Sequence, residues 1–567
     1  MADRDNQLDG GEAIVEALRR LGTDYILSSP GSEWGPVWEA LARQKLGNRP
    51  GPRFIETWHE NLAVNMAAGY TLMTGRPQAV MLHAGVGLMH GAMAILTALQ
   101  ADVPMLVMSG ESVSLGEDPD LAIEPQWYGG LSVGGPERLV GPLVKHARQI
   151  SSPFTLHDSV IRAMELAARP PLAPVYLNVP LEHMLHGWTP PAAPRQVPPA
   201  PRVQADAADL AMVAGLLRQA KNPMVVTEAS GRDPAAFAAL VALAEALALP
   251  VIGGNNVAFA NFPTDHPLWL GSGEYAPLPE ADLVLLVGGR APWYPAHRRP
   301  TAGTIVSIHD TPLKTHMVYQ NLHADHYLEG DIATALRLLT AAAQPGAADA
   351  DALTARRRRW HAAHDAYEAM RRAAEDQARA ASGIDPVALC AALAEALPAD
   401  AIIVDESITA HPIVRQHLNF TQAQGYFRIF GGLGQGLGTA LGVKLAAPER
   451  PVVVVAGDGG FLYNPVIQAL GAAKNHGLPV LAVVFNNGRY QAMKQGHVHH
   501  YPQGVSVAAD LFHGVHIDGP NYAEFAKPFG FYGRRVERLA DLTAALPEAI
   551  AALQEGRSAI LNVMLTR

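Results

Sequence analysis

The chain has 567 residues, 49% of them apolar and 17% charged, with a formal charge of −10. Its length exceeds what one ordinary core accommodates, and its composition is that of compact globular units, which excludes a disordered or fibrous chain. The acidic balance, with no long basic stripe, argues against a nucleic-acid partner and for a small-molecule substrate.

The opening "MADRDNQLDGGEAIVEALRRLG" is acidic and then amphipathic, without an apolar signal core, and no later apolar run reaches membrane-spanning length. With a single cysteine, Cys390, this predicts no membrane partner and a reducing, cytoplasmic location. The first segment, 1–188, alternates strand-like runs ("TDYILSS", "QAVMLHAG", "VPMLVMSG") with stretches of helical periodicity such as "NLAVNMAAGYTLMTG". A proline-rich connector follows over 189–204, because "TPPAAPRQVPPAPR" continues neither a helix nor a central strand. The middle segment, 205–342, repeats the rhythm in "NPMVVTEAS", "LPVIGGN", "ADLVLLVGG" and "GTIVSIHD". Residues 343–383, rich in alanine and charge, read as a helical linker whose arginine run is a solvated face. The last segment, 384–567, offers "DAIIVDES", "RPVVVVAGDGG", "LPVLAVVFNN" and "AILNVML". The fold class is therefore α/β, with three consecutive doubly wound parallel-sheet domains, and ligands are expected beyond the carboxyl ends of the strands.

Two such ends carry the clearest chemistry. Asp458 leaves a buried-strand run within Gly457, Gly459 and Gly460, and 29 residues later a second run ends on Asn486 and Asn487. A carboxylate, an amide oxygen and a nearby carbonyl form a hard oxygen set suited to Mg²⁺, and the glycine turn opening a helix supplies donors for phosphate. Alone, Asp-Gly or Asn-Asn-Gly is an ordinary turn; the pair at this spacing favours a site.

This pair resembles the diphosphate-binding motif of thiamine-diphosphate-dependent enzymes, at a spacing towards the long side for the family. Three further stretches support the resemblance. "ETWHENLAVNMAAGYTLMTG" is similar to the glutamate motif of the first domain and implies that Glu60 hydrogen-bonds the aminopyrimidine ring. "FRIFGGLGQGLGTALGVKLA" is similar to the loop that accepts from the pyrimidine amino group, here through the Gly431 carbonyl, and wedges the bent cofactor, here with Leu433. "DESITAHP" is similar to a diphosphate-holding loop and points to Thr409, with Tyr463 near the diphosphate and the Arg489 carbonyl completing the Mg²⁺ set with Asp458 and Asn487. A glutamate sharing a proton with a ring nitrogen away from water makes chemical sense, because burial raises a carboxyl pKa.

The resemblance covers the whole chain and implies a pyrimidine-binding, a central and a diphosphate-binding domain. It also implies thiamine diphosphate and Mg²⁺ as cofactors, and a homodimer or homotetramer with active sites between chains. FAD in the central domain stays open, since "VGGRAPWYP" matches the pattern of FAD-binding relatives only in part. "GGLGQGLG" mimics a dinucleotide fingerprint, but no leading strand is evident and no acidic residue follows at the expected distance.

Within the family, "LSSPGSEWGP" and "VMLHAGVG" are most similar to benzoylformate decarboxylases, which implies that Ser32 contacts a substrate carboxylate and His83 relays protons. The expected reaction is non-oxidative cleavage of a 2-oxo acid to an aldehyde and CO₂. The alternatives are carboligation, as in acetolactate-synthase-like enzymes, and a catalytically silent paralogue. His297 is a candidate second histidine whose spacing does not match cleanly. After Asn487 the chain departs from the decarboxylases, with Gln495 and Gly496 where bulky apolar residues are expected. His497, His499 and His500 fall on no single helical face and read as a loop or pocket rim.

Overall fold

The computed structural model describes residues 7–111, 130–193, 196–273, 277–318, 320–344 and 350–566. Two positions of the proline-rich connector, 194–195, and the head of the helical linker, 345–349, lie outside these residues. The strands form three parallel six-stranded sheets. The first contains β1 (Tyr25–Ser29), β2 (Arg53–Glu56), β3 (Gln78–Leu82), β4 (Met105–Ser109), β5 (His146–Gln149) and β6 (Pro174–Asn178), in the order β2-β1-β3-β4-β6-β5. The second contains β7 (Pro223–Thr227), β8 (Val251–Gly253), β9 (Trp269–Ser272), β10 (Leu283–Val287), β11 (Thr304–His309) and β12 (His326–Glu329), in the order β12-β11-β10-β7-β8-β9. The third contains β13 (Ile402–Glu406), β14 (Tyr426–Arg428), β15 (Val452–Gly457), β16 (Leu481–Asn486), β17 (Tyr532–Val536) and β18 (Ala559–Met564), in the order β14-β13-β15-β16-β18-β17.

Central strands such as β15 and β16 are β-branched and buried along their length, because helices cover both faces of a parallel sheet. The helices that matter below are α1 (Glu60–Thr74), α2 (Ala84–Gln100), α3 (Ala350–Ala380), α4 (His411–His417), α5 (Gly436–Ala446), α6 (Asp458–Tyr463), α7 (Val466–His476) and α8 (Gln491–His500). The chain divides into two compact units. One is made of 1–201, 430–448 and 462–479; the other of 202–429, 449–461 and 480–567.

In the first unit α1 is apolar on nearly all sides and buried from Asn61 to Thr71, as expected for a helix enclosed in a core. It crosses α5 at glycines. A Cβ on Gly69 would fall 2.0 Å from the Thr439 carbonyl oxygen, one on Gly442 2.0 Å from that of Met66, and one on Gly438 2.7 Å from Asn65 Cβ. Asn65 Nδ2 donates to Gln435 Oε1 at 2.7 Å, and Asn61 Nδ2 to the Gly434 carbonyl at 3.0 Å. Of these glycines Gly438 closes the stretch "GGLGQGLG" and is spent on packing against α1. A short strand, β14, does lead into that stretch, contrary to the sequence expectation.

Replacing Gly442 by Ala gains about 1 kcal/mol of helix propensity but forces a methyl into a backbone carbonyl, an overpacking worth about 1–3 kcal/mol or more. The clash wins, and the urea midpoint is expected to fall. Gly496→Ala in α8, where a Cβ meets nothing within 4 Å, is expected to raise it.

Candidate active site

The first sheet reverses its strand order between β1 and β3, so the loops leaving these strands flank one crevice. The β1 loop holds Ser32, exposed, and Glu33, fully buried; the β3 loop holds His83. Glu33 Oε2 lies 2.9 Å from His83 Nδ1, and Glu33 Oε1 accepts the Ala84 amide at 2.8 Å, which orients the ring and anchors the start of α2. The bond to Glu33 raises the His83 pKa above its ordinary value, outweighing the burial that would lower it. Gly31 makes the pair possible, since a Cβ there would sit 1.7 Å from His83 Nδ1. Ala84, next to the histidine, holds a left-handed φ of 41°, a strained conformation of the kind that gathers at functional sites.

Glu60 is the first residue of α1. A Cβ on Gly87 would lie 3.0 Å from Glu60 Oε1 and 3.1 Å from His83 Cβ, so this glycine borders both residues. His90 Nδ1 lies 3.4 Å from Glu60 Oε2, and the His59 and His90 rings stack with centroids 5.6 Å apart. Ligand atoms of His59, Glu60 and His90 fall within 4.8 Å of one another, yet a three-ligand metal centre does not follow. His59 Nδ1 already accepts the Asn61 amide at 3.1 Å as the α1 cap, so its neutral ring carries the hydrogen on Nε2, and burial lowers its pKa and keeps it neutral. The two histidines flank the Glu60 carboxylate instead.

Glu111 follows β4 and is fully buried. Its Oε1 accepts the Gly134 amide at 2.8 Å, its Oε2 has no hydrogen-bond partner among the described residues, and burial raises its pKa. In the same unit Gly431 has φ 81°, and a Cβ there would press on Thr97 Oγ1 at 2.8 Å. Leu433 is half-buried, with its carbonyl accepting Gln435 Nε2 at 2.8 Å, while Tyr463, closing α6, is exposed.

The second unit contains the other predicted residues. The third sheet reverses its order between β13 and β15, whose loops carry Thr409 and Asp458. Asp458 is buried. Its Oδ1 accepts the Gly459 amide at 2.8 Å, and its Oδ2 the amides of Gly488 and Arg489 at 2.7 and 3.2 Å. Burial raises its pKa against these donors. Asn486 is tied to Asn562 at 2.9 Å, whereas Asn487 Oδ1 accepts the Arg489 amide at 3.1 Å. Asp458, Asn487 and Arg489 thus converge, and the space off Gly457 is open. Gly459 lies against the Tyr490 ring, and Gly460 is buried in α6.

Thr409 is half-buried in a bend held from below. Asp405 Oδ1 accepts from the Ser407 amide and hydroxyl at 2.8 and 2.6 Å, and Asp405 Oδ2 meets His411 Nδ1 at 2.7 Å and the Tyr426 hydroxyl at 2.9 Å. Burial pushes the His411 pKa down to about 4, against the pull of Asp405, whose own pKa is lowered by its bond to His411.

His497, His499 and His500 lie in the last turn of α8, which corrects the loop expected from sequence: the run from Gln491 continues as helix. His497 packs on Phe512 with ring centroids 5.4 Å apart. His499 lines a pocket of about 420 Å³ with Arg489, Gln491, Lys494, Gln495 and Val498. His297 is exposed in a short turn of 3-10 helix. Sequence reasoning passed over Glu33, His59, His90, Glu111 and the Asp405–His411 pair. Only Glu33 carried a local signal, as an acid beside Ser32 at a strand end.

Three family models match the chain: the N-terminal thiamine pyrophosphate binding domain over residues 8–122, the central domain of thiamine pyrophosphate enzymes over 210–339, and their C-terminal binding domain over 407–563. The chain is 28% identical to a benzoylformate decarboxylase of Pseudomonas aeruginosa, over 95% of this chain and 96% of that one. It is 28% identical to a probable acetolactate synthase of Mycobacterium bovis, over 98% and 96%. In fold it matches a thiamine diphosphate-dependent 4-hydroxybenzoylformate decarboxylase of Rhodococcus jostii RHA1, with a TM-score of 0.78 and 24% identity over 98% and 99% of the chains.

Two titrations follow from the geometry. Because Glu33 raises the His83 pKa, the pair stabilises the folded protein below about pH 6.5 and loses that contribution as pH rises through the His83 titration. Glu33→Gln should shift that titration downwards in histidine NMR spectra. His411 works the other way: folded, it resists protonation that the unfolded chain accepts, so stability declines as pH falls from about 6.5 towards 4. His411→Gln should flatten the acid limb of a denaturation profile.

Proposed function

The chain belongs to the thiamine-pyrophosphate-dependent enzymes, and on that premise we propose that it cleaves a 2-oxo acid without oxidation, releasing CO₂ and an aldehyde. One observation carries this reading: Ser32 is exposed one residue from the buried Glu33, which holds His83 ready to be protonated. The Ser32 hydroxyl can donate to a substrate carboxylate. With Nδ1 committed to Glu33, which raises the ring's pKa and favours its protonated form, His83 moves protons through Nε2.

The residues present fit the cofactor. Thiamine diphosphate, when bound, supplies the electron sink for breaking the carbon–carbon bond. Glu60 would hold a proton at its carboxylate for the aminopyrimidine ring, the Gly431 carbonyl would accept from the amino group, and Leu433 would pack beneath. Thr409, the glycines around Asp458 and Tyr463 would hold the diphosphate. Asp458 has neutral main-chain N–H groups as partners, and a buried carboxylate so arranged suits a divalent cation. Mg²⁺ would be held by Asp458, Asn487 and the Arg489 carbonyl. Gln495 and Gly496, standing where bulky apolar residues are expected in benzoylformate decarboxylases, support a substrate other than a plain aromatic 2-oxo acid.

Similarity to acetolactate synthases supports a second reading, in which the same site joins two 2-oxo acids. Exposed Trp58, Met89, Met93, Leu462, Tyr463 and Ile467 in the first unit support a homo-oligomer whose active sites take residues from two chains. Buried, lone Cys390 suits the cytoplasm.

Incubating the holoenzyme with pyruvate, benzoylformate and a panel of polar 2-oxo acids should yield aldehydes. Acetolactate or acyloin as the main product favours the second reading, and no turnover of any 2-oxo acid sinks both. Glu60→Gln is expected to keep thiamine diphosphate binding by calorimetry while turnover drops about 10²–10⁴-fold. Asp458→Ala should abolish Mg²⁺-dependent binding of the cofactor; unaltered binding would remove Asp458 from the site.

A further inference from the structure

The second sheet contains a buried acid that none of the chemistry above uses. Its strand order starts at β7, runs outward through β8 and β9 on one side and through β10, β11 and β12 on the other. The reversal lies between β7 and β10, where an open sheet of this order takes the phosphates of a nucleotide. Glu228 is the first residue after β7 and is fully buried.

Its carboxylate spans that crevice. Oε2 accepts the amides of Arg290 and Ala291 in the β10 loop at 2.6 and 2.8 Å, and Oε1 accepts the Asn256 amide in the β8 loop at 2.5 Å. The loops are drawn in by glycines. Gly288 has φ 63°, and a Cβ there would lie 2.7 Å from the Ser230 amide nitrogen; a Cβ on Gly254 would lie 2.6 Å from Glu228 Oε1. Cationic groups stand nearby: Arg290 is buried and attracts the carboxylate, and Arg428 donates to Asn256 Oδ1 at 3.1 Å. Convergent main-chain N–H groups with arginines behind them form the type of nest that binds a phosphate. Burial raises the Glu228 pKa, against the opposing pull of the three amides and Arg290.

We propose that the switch-point crevice of the second sheet is an anion site that Glu228 fills from within, so that a phosphate-bearing ligand such as a nucleotide is excluded there unless the carboxylate is removed. A carboxylate and a phosphate compete for the same donors, and this one arrives on its own backbone at no cost in association entropy. Exclusion of a dinucleotide from the central domain is thus a property of one side chain rather than of the fold. The inference does not rest on the decarboxylase reading.

The test compares the full-length protein with Glu228→Gly. Calorimetry of the unaltered protein, saturated beforehand with thiamine diphosphate and Mg²⁺ so that the site around Asp458 is filled, is expected to show no saturable binding of inorganic phosphate, ADP or FAD. The glycine variant should lose about 5 °C or more in thermal midpoint, because three buried donors lose their partner. Formate or inorganic phosphate should restore part of that loss in the variant while leaving the unaltered protein unmoved, and ADP should then bind the variant. Saturable binding of FAD or ADP to the unaltered protein overturns the proposal, a result independent of whether the variant folds. A folded variant that no anion stabilises also overturns it.

Discussion

The crossing of α1 and α5 is the contact on which the first unit depends. Gly69, Gly438 and Gly442 remove side chains where backbone meets backbone, so the axes come closer than any Cβ permits. Such approach brings glycine Cα groups against carbonyl oxygens, weak contacts that add up along a helix pair. Asn61 and Asn65 lock the register by bonding to Gly434 and Gln435, immediately before α5 begins. The consequence reaches the chemistry, because α1 starts at Glu60 and α5 is preceded by the loop of Gly431 and Leu433. A register slip between the helices would displace the carboxylate relative to the glycine loop.

Much of this organisation was legible in the chain, and where it was not the reasons are physical. Most central strands were evident because they are buried on both faces, "PVVVVAGDGG" and "LPVLAVVFNN" being apolar runs that no other element explains; β6, equally buried, was not singled out. The edge strands β2, β5 and β17 were not, since their partial exposure leaves polar residues such as Arg53, Arg148 and Arg534 in them. The helix beyond Asn487 was missed because helical periodicity is faint where no face is buried: none of the α8 residues is in the core, although His499 does line a pocket.

At the candidate site, residues fixed by local grammar were readable, and residues defined by a tertiary partner were not. Asp458 and Asn487 announce themselves through glycines and strand ends. Glu33 becomes meaningful only when β1 and β3 lie side by side and Gly31 lets His83 approach. Glu111 and His411 are similar cases, ordinary in sequence and unusual only in their burial. The glycine-rich stretch leading into α5 mimics a dinucleotide fingerprint, and its last glycine, Gly438, serves contact with α1.

The first and third sheets share one strand order, with β1, β2 and β3 matched by β13, β14 and β15. Ser32 and Thr409 therefore occupy corresponding loops, as do His83 and Asp458. The same scaffold appears twice in the chain, furnished once with a hydroxyl and an imidazole and once with a hydroxyl and a carboxylate. The contrast between an imidazole held by a buried acid and a carboxylate held by main-chain amides is written in a handful of loop residues on one repeated architecture.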